Sequence, residues 1–137
     1  MLLILFCSPP PALALERIVL QLKHTHQFQF AGYYAAIEQG YYREAGLDVQ
    51  LVEGVPGRRV DEAVLSGQAD YGVGGSSLLL SRLAGKPLVV LAVIFQHSPV
   101  VLLMRQQGGA PDVRRLQGAP VAIGAPGDEA SLLLSKM

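Results

Sequence analysis

Short β-rich runs alternate with helical segments along most of the chain, and glycines separate them. The sequence predicts strands at residues 18–22, 49–52, 70–73 and 88–95. Such β-α alternation favours a mostly parallel sheet covered by helices. The expected fold class is therefore α/β.

Helical periodicity is clearest between the first two strands. Phe30, Tyr34, Ile37 and Tyr41 recur at steps of four, three and four, which gives one apolar helix face. Gly46 stands where a helix C-terminus favours a left-handed residue. A second helix is predicted to begin near Val60 and to stop at Gly67. Residues 78–83 predict a third helix, apolar nearly all round and so expected in the core. Residues 88–95 are apolar throughout, which predicts a central strand buried on both faces.

The loops that follow the predicted strands are rich in glycine or polar residues. They comprise residues 27–30, 54–57, 74–77 and 96–98. Ligands of open parallel α/β sheets bind beyond the carboxyl ends of the strands. Aromatic faces and amides on such loops suit a small-molecule cleft. The sequence therefore predicts a binding cleft at this edge of the sheet.

The remainder of the chain predicts a second α/β segment. A strand at 100–104 and a flexible break at 106–111 precede Asp112, whose carboxylate can cap a short helix at 113–116. A strand at 119–123 and a loop at 124–127 follow. The sequence ends at Met137 within an apolar helical run. We interpret it as a fragment with a first lobe at 15–105 and, at 106–137, the crossover and incomplete start of a second lobe.

The N-terminus resembles a secretion signal. A short apolar run, three prolines and Ala12-Leu13-Ala14 predict a signal peptide at residues 1–14, cleaved after Ala14, and an exported or periplasmic protein. The run is shorter than the roughly 20 apolar residues that a membrane span needs. Cys7 is the sole cysteine, so the cleaved chain would offer no disulfide, catalytic thiol or cysteine-bound metal.

Charge and local spacing exclude several functions. Eleven Lys and Arg balance eleven Asp and Glu, with no basic cluster, so nucleic acid is not an expected partner. Residues 74–77, Gly-Gly-Ser-Ser, lack the lysine and the spacing of a phosphate-binding P-loop. His24 and His26 face one side but have no third ligand nearby, so no metal site is predicted.

Four short patterns then carry a family resemblance. They are AGYYAA at 31–36, GYYREAGLDV at 40–49, GQADYG at 67–72 and LQGAPVAIG at 116–124. In this order and spacing the chain resembles the NMT1/THI5-like group of periplasmic solute-binding proteins. The resemblance implies a type II periplasmic-binding-protein fold with two α/β lobes. It also implies a small organic ligand (a thiamine-pyrimidine precursor or a sulfonate), an ABC-type transporter as membrane partner, and no cofactor.

The resemblance also implies where the ligand contacts lie. They follow predicted strands and comprise Gln27, Phe28, Phe30, Tyr33, Gly75, Ser76, Ser77, Gln96, His97, Ser98, Gly124 and Gly127. Phe28, Phe30 and Tyr33 are expected to stack on a flat heterocycle. Ser76 and Ser77, at a helix start, suit an anionic or carbonyl group. For Phe28 and Phe30, packing in the lobe core remains an equal alternative.

Three functions remain open at this stage. The first is a solute receptor with no chemistry of its own. The second is a thiamine pyrimidine synthase, whose eukaryotic relatives use pyridoxal phosphate, a histidine and a cysteine-rich motif that this segment lacks. The third is the ligand-sensing input domain of a sensor kinase or cyclase. The sequence that follows residue 137 would separate them.

Overall fold

The computed structural model describes residues 14–103, 112, 114, 117–123, 131 and 134. The predicted signal peptide therefore lies outside the described residues, apart from its last position. The chain divides into two compact units, Met1–Val73 and Gly74–Met137. The boundary between residues 105 and 106 was predicted for the two lobes of the fold and not for compact units of this kind, so it stays a prediction.

A parallel sheet forms the centre of the first unit. Its strands are β1 (Glu16–Gln21), β2 (Leu47–Val52) and β3 (Tyr71–Gly72), in the order β2-β1-β3. Both neighbours of β1 run parallel to it, and Gln21 lies opposite Val52 and Gly72. Among the described residues the architecture is therefore α/β with a parallel sheet, which confirms the predicted fold class.

Helices connect these strands, as the alternation predicted. A 3₁₀ helix (Phe28–Phe30) leads directly into α1 (Ala31–Glu38), and the short α2 (Tyr41–Glu44) follows. The helix predicted from the periodicity thus ends near Gly40, which adopts a left-handed φ of 80°, and Tyr41 begins a separate short helix. Gly46 also has a φ of 80°, so the predicted left-handed helix end is confirmed there.

The helix α3 (Val60–Leu65) packs on the sheet beside β3. Gly72 allows this close approach, because a Cβ atom at that position would collide with the Val60 side chain. Among the described residues of this unit, the buried apolar side chains are Ile18, Leu22, Phe30, Ala63 and Ala69. Gln21 and Asp61 are also buried, and both hold the loops at the carboxyl edge of the sheet in place, as described below.

The helix α4 (Leu78–Leu83) begins the second unit. It forms where predicted, but the expectation that it is buried nearly all round is wrong, because Leu79 and Leu83 are 63% and 75% exposed. Apolar composition indicates only which residues burial would stabilise. The burial itself requires a neighbouring element that covers each face.

The predicted central strand at 88–95 is also wrong, since these residues have no strand structure and Val89 to Phe95 are exposed. The predicted strands at 100–104 and 119–123 are likewise absent from their described residues, 100–103 and 119–123. A β-rich sequence becomes a strand only where a second strand satisfies its backbone hydrogen bonds. None of these segments pairs with a partner strand among the described residues.

Candidate ligand-binding site

The parallel strands bring the loops after β1 and β2 to the same edge of the sheet. The Gly54 N–H donates to the His24 carbonyl over 2.9 Å, which joins the two loops directly. Gly54 is buried, and a Cβ atom added there would lie 2.5 Å from the Lys23 carbonyl oxygen. Only glycine therefore permits this contact between the two backbones.

Gln21 provides a second connection between these loops. It is 3% exposed, and its side-chain Nε2 donates toward the carbonyls of Leu22, Val52 and Glu53 at 3.1, 3.2 and 3.0 Å. The Val52 carbonyl also accepts from the Leu22 N–H over 2.7 Å. Disturbing the buried amide would therefore deprive mainly the Leu22 and Glu53 carbonyls of a donor, which costs free energy. The backbone that carries Glu53 is therefore fixed relative to the end of β1.

Three polar side chains meet on this fixed backbone. Tyr34, on α1, forms a hydrogen bond between its hydroxyl and Nδ1 of His26. The two rings are also in edge-to-face contact, with centroids 5.8 Å apart. On the other side of the imidazole, Nε2 lies 3.8 Å from Oε2 of Glu53. His26 thus stands between a hydroxyl and a carboxylate that come from different elements.

The aromatic residues predicted to contact ligand separate into two kinds. Phe28 is 93% exposed, so its ring is available to stack on a flat ligand. Phe30 is 3% exposed and packs near Tyr33, with ring centroids 6.5 Å apart. We therefore assign Phe30 to the core and retain Phe28 and Tyr33 as candidate contacts. Gln27 is exposed, and its Oε1 accepts a hydrogen bond from Gln29 over 2.9 Å.

An ion pair anchors the far end of the loop after β2. Nε and Nη2 of Arg59 donate to the two carboxylate oxygens of Asp61, each over 2.9 Å. Asp61 is 3% exposed, so this bidentate pair fixes where the loop enters α3. The hydrogen bond to Asp61, and then its negative charge, raise the pKa of Arg59 above the ordinary value.

The other predicted contacts belong to the second unit or lie outside the described residues. Gly75 and Ser77 use their carbonyls to accept backbone hydrogen bonds at the start of α4, and Ser76 does the same. Gln96, His97 and Ser98 are exposed, and the Ser98 hydroxyl oxygen accepts from the Val100 N–H over 3.3 Å. Gly124 and Gly127 lie outside the described residues. The Asp112 carboxylate accepts from the Arg114 N–H over 2.9 Å, as capping predicts.

One face of the sheet carries a separate concavity of about 260 Å³. Its wall is mainly apolar and comes from β1, β2, β3 and α2: Glu16, Ile18, Leu20, Tyr42, Leu47, Val49 and Tyr71. Burial, and then the nearby Tyr33, raise the pKa of Tyr42 above 10.0. The polar groups that could orient a ligand are concentrated instead at the carboxyl edge.

The cluster of His26, Tyr34 and Glu53 is absent from the predicted site residues. No local pattern marks Glu53, which simply follows the predicted second strand. The signal was available in the topology, because adjacent parallel strands place their following loops side by side. In the sequence, His26 stands out only as a possible metal ligand beside His24. Among the residues that the structure describes, no group of three or more candidate metal ligands is found.

Within residues 14–103 and the few described positions after them, no helix has the length and apolar character needed to cross a bilayer.

A parallel α/β sheet with aromatic and polar side chains on the loops at its carboxyl edge is the arrangement of a small-molecule binding domain. The family model described as NMT1/THI5 like matches residues 27–137. The chain therefore belongs to the NMT1/THI5-like family, as its sequence patterns suggested.

One curated relative is similar over most of this chain. It is the riboflavin-binding protein RibY of Chloroflexus aurantiacus, which is 29% identical over 123 residues. The alignment covers 88% of this chain and 34% of RibY, so the chain spans about a third of that relative's length. No solved structure matches the chain significantly.

Proposed function

We propose that this chain is part of an exported solute-binding protein that captures a flat, nitrogen-containing heterocycle. The observation that carries the proposal is the combination on one loop of the exposed Phe28 ring and the polar His26, which is bonded to Tyr34 and close to Glu53. An aromatic face supplies stacking, and a few fixed polar groups supply orientation. Membership of the NMT1/THI5-like family supports the same function.

Riboflavin is the first candidate ligand, because the similar RibY is named as a riboflavin-binding protein. A thiamine-pyrimidine precursor is the second candidate, as the family resemblance implies. Both compounds offer a planar ring and N–H donors, which match an aromatic face beside a carboxylate. A simple sulfonate such as taurine has no planar ring to stack on Phe28, and its anionic group is repelled by the Glu53 carboxylate, so it is the weaker candidate for this edge of the sheet.

A receptor of this kind acts by binding alone. It needs no cofactor and no catalytic residue, and its partner would be the membrane component of an ABC-type uptake system. The predicted signal peptide is consistent with a periplasmic location, which is where such a receptor would meet its ligand.

Binding is tested by titrating the purified protein with riboflavin and following the quenching of flavin fluorescence. Calorimetry with the aminopyrimidine of thiamine and with taurine provides the comparison. We expect saturable binding of riboflavin or the aminopyrimidine and none of taurine. Failure of both heterocycles to bind would refute the proposed ligand class. Selective binding of taurine would point to a sulfonate receptor instead.

A further inference from the structure

The contacts around His26 suggest how the site selects its ligand. We propose that Glu53 accepts a hydrogen bond from an N–H group of the bound heterocycle and that His26 is the residue that positions it. This inference rests on the proposed function of the same site. It concerns residues that neither the sequence patterns nor the family match single out.

The two neighbours of the imidazole are both compatible with one neutral tautomer. When the Tyr34 hydroxyl donates to Nδ1 of His26, that nitrogen is unprotonated and the ring proton is on Nε2. Nε2 is the nitrogen that faces Glu53. A proton there is favoured by the negative carboxylate, and the Tyr34 hydroxyl, which can donate, complements the unprotonated Nδ1 of the same tautomer.

The distance between His26 and Glu53 leaves the carboxylate able to bind. At 3.8 Å, Nε2 and Oε2 are too far apart for a direct hydrogen bond, although the N–H dipole still attracts the carboxylate. The side chain of Glu53 is 45% exposed, so its oxygens can be reached from solvent. Each ionised oxygen accepts and none donates, which favours N–H donors over carbonyl or sulfonate groups.

The backbone beneath these side chains is held in a fixed position. The buried Gln21 amide holds the Glu53 carbonyl at 3.0 Å, and the Gly54 N–H holds the His24 carbonyl at 2.9 Å. Glu53 and His26 therefore start from backbones that cannot easily move apart. Recognition groups that are fixed before the ligand arrives lose less conformational entropy on binding.

The ligand class follows from this chemistry. It is a flat heterocycle with an imide or amino N–H on its edge, which the isoalloxazine ring of riboflavin provides. Riboflavin methylated on its imide nitrogen lacks that donor and is otherwise similar in shape. This pair of compounds therefore isolates the proposed hydrogen bond.

The experiment measures riboflavin affinity for the wild-type protein, for Glu53→Gln and for the control Glu44→Gln, which alters an exposed glutamate on α2. Replacing a charged acceptor by a neutral amide should weaken riboflavin binding by about tenfold. The control should bind like the wild type. For imide-methylated riboflavin, Glu53→Gln should have little further effect, as expected of two changes that remove the same contact.

A double-mutant comparison tests the positioning role of His26. Tyr34 on α1 and Glu53 on the loop after β2 are the groups that face this ring. His26→Gln should weaken riboflavin binding in the wild-type background. In the Glu53→Gln background the same change should have little further effect, because a residue that acts only by positioning Glu53 has nothing left to position.

The possible outcomes distinguish failure of the proposed function from failure of the proposed roles of Glu53 and His26. If the wild type binds neither riboflavin nor the aminopyrimidine, the proposed function and this inference both fail. If the wild type binds riboflavin but Glu53→Gln changes the affinity less than about twofold, only the inference fails. Equal losses for riboflavin and its methylated form would also overturn it, as would additive losses for His26→Gln and Glu53→Gln.

Discussion

Replacing Gly54 by alanine should separate the two loops that form the candidate site. The added Cβ atom would lie 2.5 Å from the carbonyl oxygen and 2.6 Å from the carbonyl carbon of Lys23. Both are backbone atoms, so no side-chain rotation relieves the overlap. Gly54 does not have a positive φ, so alanine can adopt its backbone conformation. The collision is therefore the only source of strain that the substitution adds.

The size of the effect follows from two contributions. The loops must move apart by about 0.9 Å before the Cβ atom reaches an ordinary contact of 3.4 Å. Overpacking of this kind costs roughly 1–3 kcal/mol. Stretching the hydrogen bond from Gly54 to His24 removes about 0.5–1.5 kcal/mol more. We expect the free energy of unfolding to fall by roughly 2–4 kcal/mol.

Urea unfolding followed by circular dichroism measures this loss. Gly32→Ala is the matched control, because Gly32 lies within α1 and has no atom within 4 Å of its added Cβ. That change should be neutral or stabilise the protein by up to about 1 kcal/mol. If Gly54→Ala unfolds within about 0.5 kcal/mol of the wild type, the loops are not held together as described.

Three further predictions concern the same unit. Phe28→Ala should lower heterocycle affinity about tenfold without changing the urea midpoint. Phe30→Ala should instead lower the free energy of unfolding by about 3–5 kcal/mol. The reverse result would mean that Phe30 contacts the ligand and Phe28 belongs to the core. Gln21→Leu should destabilise the protein by about 1–3 kcal/mol because the Leu22 and Glu53 carbonyls lose the buried amide as a donor, and an equal loss in Gln39→Leu, at an exposed site, would contradict this. Burial raises the folded-state pKa of Tyr42 above its ordinary value of 10.0, so the folded protein favours the neutral phenol. The stability that the neutral phenol contributes is present below pH 10.0 and is lost as the pH rises through the folded-state pKa. The free energy of unfolding, measured by denaturation at a series of pH values above 10.0, should therefore fall less steeply with pH for Tyr42→Phe than for the wild type.

The first unit of the fold could be predicted from sequence because its signals are local. Strands β1 and β2 are β-rich runs within one or two residues of their predicted bounds, and Gly46 ends α2 as a glycine in a left-handed conformation should. The run at 88–95 carries an equally strong signal and forms no strand among the described residues. Strand formation depends on a partner elsewhere in the chain, which a local pattern does not contain.

The candidate site could be predicted only in part, for a related reason. Phe28 and Tyr33 stand out because aromatic residues in a loop after a strand are conspicuous. The same pattern did not separate the exposed Phe28 from the buried Phe30, because burial depends on how the loop turns into the 3₁₀ helix. Glu53 has no distinguishing neighbour in the sequence, and its significance comes only from its distance to His26.

Strand register explains why that distance is short. Gln21 pairs with Val52, so the residues that follow the two strands emerge opposite one another, and the Gln21 side chain can reach the Glu53 carbonyl. A slip of one residue between β1 and β2 would reverse the face to which every side chain of one strand points. Gln21 would then leave the core, and the Leu22 and Glu53 carbonyls would lose its amide as a donor. The pairing of β1 with β2 is therefore as much a determinant of the site as His26 or Glu53, although neither strand contributes a residue that would touch the ligand.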